Sequence, residues 1–119
     1  MDWHELYEDV IALDFEFVAA DGEPQRPICL VAKSLKTGDV TRLWITRGAK
    51  CPLPLGPEYL HVAYFASAEW NCFLSLGWDL PVRIIDLYAE YRLITNGAAG
   101  HTLRARYGLI AAAEAFGIS

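Results

Sequence analysis

The sequence predicts an α/β fold in which helices cover a mixed sheet. Residues 9–45 contain three strand-like segments separated by short turn signals, which is typical of antiparallel strands. Residues 60–116 instead alternate strand-like and helix-like segments, which is typical of parallel strands joined by helices. With 119 residues, 54% of them apolar, the chain can form a single domain with a substantial core.

The three N-terminal strands follow from residue type and turn signals. Residues 9–18 form a nearly continuous run of strand-favouring side chains and are expected to be a central strand. The Asp-Gly-Glu-Pro sequence at 21–24 predicts a turn before a second strand at 27–34. The Thr-Gly-Asp sequence at 37–39 then predicts a hairpin to a third strand at 40–45.

A Gly- and Pro-rich loop separates these strands from the next pair of elements. The loop spans residues 46–58, and a fourth strand is expected at 60–65. A helix should follow at 68–76, with Ser67 as its N-cap and Gly77 ending it.

The C-terminal part predicts one more strand and two helices. Residues 84–85 read as a short buried strand, and Asp86 can cap a helix that runs to about Ile94. Residues 96–100 form a Gly- and Ala-rich break, and the last helix is expected at 102–116.

Composition excludes several functional classes. The net charge of -5 argues against a protein that binds nucleic acid through its own surface charge alone, and only Arg104 and Arg106 form a local basic patch. No apolar run is long enough to cross a membrane and no signal-peptide pattern opens the chain, so a cytoplasmic protein with no membrane contact is expected. The spacing of Cys29, Cys51 and Cys72 indicates neither a disulfide framework nor a zinc site.

Two carboxylates lie close together on the first strand. Asp14 and Glu16 are two positions apart in Ile-Ala-Leu-Asp-Phe-Glu-Phe, so both project from one face of an extended chain, about 6–7 Å apart. Like charges on a core strand repel and lose solvation, and a bound divalent cation is the simplest compensation. The alternative is an acidic pair that faces solvent on an edge strand.

Two further acids follow later strands. Glu69 is expected in the first turn of the helix after the fourth strand, where the helix dipole favours a negative charge. Asp86 follows the next strand. Each also has a structural explanation, as a helix cap.

The order of these motifs is more specific than any one of them. Apolar-Asp-Phe-Glu-Phe on the first strand is followed by Pro-Ile-Cys-Leu-Val-Ala in the hairpin, then by Ala-Glu-Trp, Leu-Gly-Trp and Ile-Ile-Asp. Together they resemble the DnaQ-like 3′–5′ exonucleases of the ribonuclease H-like fold, and most of all the proofreading exonuclease domain of family A DNA polymerases. The resemblance extends from about Val10 to Ile118.

The resemblance implies a set of site residues and a reaction. Asp14, Glu16 and Glu69 would be the catalytic acids that hold two divalent ions, Mg²⁺ or Mn²⁺, for phosphodiester hydrolysis, although Glu69 stands where the family usually has Asp. Asp86 matches a supporting acid. The substrate would be the 3′ end of single-stranded nucleic acid, with DNA expected before RNA.

Two aromatic side chains are candidates for contact with that substrate. Phe17 and Trp70 lie beside the acids in sequence and could stack on the terminal base without sequence preference. Ordinary core packing is the alternative for both.

The chain departs from the family at two places. Phe65 occupies the position of the family's usual Asn, and the family's fourth acid, with its upstream His or Tyr, has no match, since His101 lies too early and Glu114 is in an apolar helix. The chain is therefore expected to be a single exonuclease-like domain, 1–119, that is incomplete at its C-terminus and weak or inactive alone.

Two hypotheses remain open. The chain is either the front part of an exonuclease, completed by a downstream segment or a polymerase domain, or a catalytically inactive exonuclease-like module for protein assembly or nucleic-acid binding. A homodimer is also expected, because an incomplete domain would leave apolar surface uncovered.

Overall fold

The structure, a computed structural model, describes residues 3–64 and 66–95. The predicted break at 96–100 and helix at 102–116 lie outside the described residues, as do Phe65, His101, Glu114 and the basic pair Arg104 and Arg106. The described elements are α1 (Trp3–Leu6), β1 (Asp9–Val18), β2 (Arg26–Ser34), β3 (Val40–Trp44), β4 (Tyr59–Ala63), α2 (Ala66–Leu76), β5 (Arg83–Asp86) and α3 (Leu87–Thr95).

The sheet has five strands in the order β3-β2-β1-β4-β5. The pairs β1–β2 and β2–β3 are antiparallel, whereas β1–β4 and β4–β5 are parallel. This is the predicted mixed sheet, with β1 at its centre. Within the described part of the chain, no helix is long and apolar enough to cross a membrane.

The core lies between α2 and one face of the sheet. Side chains of β1 and β2 pack there against α2 and the indole that follows it; the cluster comprises Ile11, Leu13, Phe15, Leu30, Ala32, Cys72, Phe73 and Trp78. Strand periodicity explains this choice, since Leu13 and Phe15 project from the face opposite to Asp14 and Glu16.

Helix α2 begins two residues before the predicted start. Ser67 therefore lies inside the helix and is exposed, so the expectation that it caps α2 is wrong. Ala66 is 2% exposed and belongs to the buried stripe of the helix, which explains why the helix extends back to it. The preceding strand correspondingly ends at Ala63 rather than at 65.

The C-terminal end of α2 is fixed by a Schellman motif. Gly77 has φ +70°, its N–H donates to Leu74 O at 3.1 Å, and Trp78 N–H donates to Phe73 O at 3.0 Å. The rings of Phe73 and Trp78 meet edge to face, 5.5 Å apart, and Trp78 Nε1 donates to Ala49 O at 2.8 Å. These contacts fix the orientation of α2 against the sheet and hence the position of its first turn.

Candidate functional site

The second half of β1 is paired on one side only. Strand β1 runs beside β4 over Asp9–Ala12, but it stays paired with β2 as far as Val18. Beyond Ala12 its other edge faces the start of α2. In α/β sheets, ligands bind in crevices of this kind outside the carboxyl ends of parallel strands.

Asp14 and Glu16 lie on this half-open segment. Both are exposed, and they are close enough for the charge of Glu16 to act on Asp14. Partial burial and the nearby charge of Glu16 raise the pKa of Asp14 above its usual value.

Glu69 approaches β1 from the helix side. It belongs to the buried stripe of α2 with Ala66, Cys72 and Phe73, and it is only 3% exposed. Its Oε2 accepts a hydrogen bond from Phe15 N–H at 2.8 Å, which satisfies a donor of the open edge of β1.

The carboxyl group of Glu69 is costly to ionise. Burial, and the nearby charges of Asp14 and Glu16, raise its pKa to about 7, although the hydrogen bond from Phe15 N–H acts in the opposite direction. A charged group in the apolar stripe of a helix is unfavourable unless it is compensated. In the described structure the hydrogen bond from Phe15 N–H is what compensates this burial in part.

The structure brings Asp14, Glu16 and Glu69 into one neighbourhood. They are close enough for the charges of Asp14 and Glu16 to act on the pKa of Glu69. Within residues 3–64 and 66–95, however, no three His, Cys, Asp or Glu side chains are arranged as a ready-made ion site. One oxygen of Glu69 is engaged by the backbone of β1.

The remaining predicted site residues have structural partners. Asp86 Oδ1 accepts from Tyr88 N–H at 2.9 Å, so Asp86 caps α3 as one of its two expected roles, and β5 lies two strands away from β1. Phe17 and Trp70 are half-buried and pack against the core, and Trp70 meets Phe73 edge to face. These contacts favour the packing explanation, and a stacking role for either ring stays a prediction.

The structure also shows positioning contacts that the sequence does not reveal. Gln25 Nε2 donates to Ala68 O at 3.3 Å and so ties the β1–β2 turn to the first turn of α2. Cys72 lies one helical turn after Glu69, and burial raises the pKa of its thiol to about 12, which excludes it as a thiolate nucleophile near neutral pH. The sequence signals neither the Gln25 hydrogen bond nor the burial of Cys72 beside Glu69, because both depend on how α2 is oriented.

Comparison with known proteins connects this architecture to nucleases. No family model and no curated protein matches the sequence. A solved structure described as the apo form of a nuclease superposes with a TM-score of 0.61 at 16% identity, over 89% of this chain and 54% of that one. The EXO domain of Nibbler from Aedes aegypti superposes with a TM-score of 0.53 at 14% identity, over 84% of this chain and 58% of that domain.

These likenesses concern the fold. The chain spans a little over half the length of each of the two structures. The order of three antiparallel strands followed by two parallel ones, flanked by helices, confirms the predicted architecture. The chain has a mixed α/β sheet of the ribonuclease H-like fold.

Proposed function

We propose that the chain is a metal-dependent nuclease that hydrolyses nucleic-acid phosphodiesters at a 3′ end. The observation that carries the proposal is the placement of two exposed carboxyl groups, Asp14 and Glu16, on one face of the central strand where it is no longer paired with β4. The nuclease folds of the two superposed structures support it.

The donor set fits a hard divalent cation. Asp14 and Glu16 offer carboxylate oxygens on an exposed face, and oxygen ligands are those that Mg²⁺ and Mn²⁺ prefer. Asp14 and Glu16 would hold the ions, and Glu69 would complete the set once its free oxygen faces them. When bound, such ions neutralise charge on a phosphodiester and activate water.

The chain itself contributes the placement of negative charge. The β1–β2 pairing holds Asp14 and Glu16 on one face, and Phe15 N–H holds the Glu69 carboxylate at the open edge of that strand. These positions are set by elements of regular secondary structure rather than by loops.

The finer parts of the proposal come from the sequence resemblance. Hydrolysis would proceed in the 3′–5′ direction with two bound ions, either Mg²⁺ or Mn²⁺. The substrate would be single-stranded, with DNA expected before RNA, and a polymerase domain or a downstream segment would be associated with the chain. The chain spans a little over half of the superposed structures, and the proposal assigns the remaining ligands of the complete site to that downstream segment.

Calorimetric titration with Mn²⁺ and release of mononucleotides from a 3′-labelled strand test the proposal together. The wild type should bind Mn²⁺, and Asp14→Ala should abolish binding and any release. Asp39→Ala is the matched control, since Asp39 is an exposed acid in the β2–β3 turn at the opposite end of the sheet. Absence of Mn²⁺ binding, in this chain and in one extended with its native downstream sequence, would contradict the proposal.

A second candidate function is favoured by one observation. Among the described residues no ready-made three-ligand site exists, as expected for an exonuclease-like module that has lost metal binding and serves assembly or nucleic-acid binding. The same titration separates the two candidates, because the inactive module would take up no Mn²⁺ whatever its length.

A further inference from the structure

Strand register places a second group of side chains beside the acids. Glu16 pairs with Cys29, which pairs with Trp44, and directly opposed residues of antiparallel strands share a face. The adjacent row contains Asp14, Val31 and Arg42 by the same reasoning. Trp44 and Arg42 therefore lie on the face that carries Asp14 and Glu16, two strand spacings or about 10 Å away.

Trp44 is unusually exposed for its size. Its exposed fraction is 73%, the highest among the exposed large apolar side chains of the described part of the chain. Leu43 and Ile45, its sequence neighbours, pack against the core on the other face. On the same face, in the adjacent row, Val31 is 42% exposed.

The same face carries positive charge next to the acids. Arg42 is exposed in the row of Asp14, and Lys33 is exposed in the next row, between Ala12 and Val40. In a chain of net charge -5, two cations on the face of the candidate site provide local charge complementarity for a polyanion.

We propose that Trp44 and Arg42 form a platform for single-stranded nucleic acid, on which Trp44 stacks against a base and Arg42 binds a backbone phosphate. The proposal rests on the proposed function, because the strand would run from the platform to the scissile bond at Asp14 and Glu16. Single-strand binding domains cover roughly 4–16 nucleotides, and a strand of that length is long enough to bridge a separation of about 10 Å.

An aromatic and cationic pair suits this ligand better than it suits a protein partner. Every base has a π-face, so one exposed indole can stack on any sequence, and Arg provides planar, bidentate contact with phosphate. An apolar protein partner would gain nothing from Arg42 and Lys33, and would also lie against the charged pair of Asp14 and Glu16.

Fluorescence anisotropy of a short 5′-labelled oligothymidine tests the platform apart from catalysis. Binding is measured in CaCl₂ at low salt, because Ca²⁺ binds carboxylates without imposing the octahedral geometry of Mg²⁺. Trp44→Ala should weaken binding by roughly 5- to 150-fold, and Trp44→Phe should recover most of the loss since it keeps a stacking ring. Arg42→Ala should lower the slope of log Kd against log salt by about 0.7.

Val82→Ala is the control, since Val82 is 59% exposed and lies ahead of β5, away from the platform. Unchanged binding in this control and loss in Trp44→Ala support the proposal. Equal binding by wild type and Trp44→Ala would overturn it, and so would absence of binding by the wild type. It would also be overturned if Trp44→Ala changed only the self-association of the protein and not its binding of the oligothymidine. Mononucleotide release with normal Trp44→Ala binding would remove the platform but leave the nuclease proposal standing.

Discussion

The two halves of β1 differ in how many strands they pair with and in how deeply their side chains are buried. Over Asp9–Ala12 the strand is paired with β4, from Ile11 it is also paired with β2, and Val10 and Ile11, which project from opposite faces, are both buried. From Leu13 onward it is paired with β2 alone, and buried and exposed side chains alternate. The first half is built for stability, whereas loss of the second neighbour leaves a free backbone edge and an open face on which charge can be placed.

Of the substitutions that test the difference between the two halves of β1, the largest effect is expected on the free energy of unfolding. Ile11→Ala should lower the free energy of unfolding by about 2–5 kcal/mol, because it leaves a cavity in the doubly covered half of the strand. Asp14→Ala, only three positions away, should change it by about 0.5 kcal/mol or less, or stabilise the chain, because it removes the repulsion with Glu16. Urea unfolding measures both. A cost above about 2 kcal/mol for Asp14→Ala would identify Asp14 as a structural residue instead.

An intermediate effect is expected at Glu69, whose side chain contacts the second half of β1. The pKa of Glu69 is about 7 in the folded chain and about 4.5 for an unperturbed carboxyl group, so between these values the folded state binds more protons. The free energy of unfolding should therefore fall as pH rises from about 4.5 to 7, and stay level above that. Glu69→Gln keeps an acceptor for Phe15 N–H but carries no charge, and it should be more stable than wild type at pH 8 by about 1–3 kcal/mol.

The control for this effect is a matched acid without the same surroundings. Glu58→Gln changes an exposed carboxylate and should leave the pH dependence of unfolding unaltered. Urea unfolding at pH 4.5 and pH 8 makes the comparison. If wild type and Glu69→Gln lose stability in parallel between these pH values, ionisation of Glu69 is not the source of the loss.

Most of the fold could be predicted because its signals are local. The alternation of apolar residues along 9–18 and the Gly-containing turn before β3 are readable within a few residues. Less local features were not predictable: α1, at Trp3–Leu6, is too short to show a helical period, and α2 begins at Ala66 because that residue is buried against distant elements.

The site was predictable in part for the same reason. The spacing of Asp14 and Glu16 dictates a shared face wherever a strand forms, so their juxtaposition could be expected. The contact of Glu69 with Phe15 N–H joins residues 54 positions apart and depends on where β4 stops pairing with β1, which no local pattern encodes. The exposure of Trp44 likewise depends on the register of β3 against β2.

The smallest expected effect is at Gln25, which holds the first turn of α2 over the open edge of β1. Its side-chain amide donates to Ala68 O at 3.3 Å in a half-buried position, so Gln25→Ala should lower the free energy of unfolding by only about 0.5–1 kcal/mol. The more informative measurement is the pH dependence of unfolding. If Gln25 positions Glu69, the midpoint of the fall in stability should move towards lower pH in Gln25→Ala, because a looser helix start exposes the carboxyl group to water and its pKa drops. A loss of stability that is the same at every pH would show that Gln25 only ties the turn to the helix, and that the contact with Phe15 N–H alone keeps Glu69 in place.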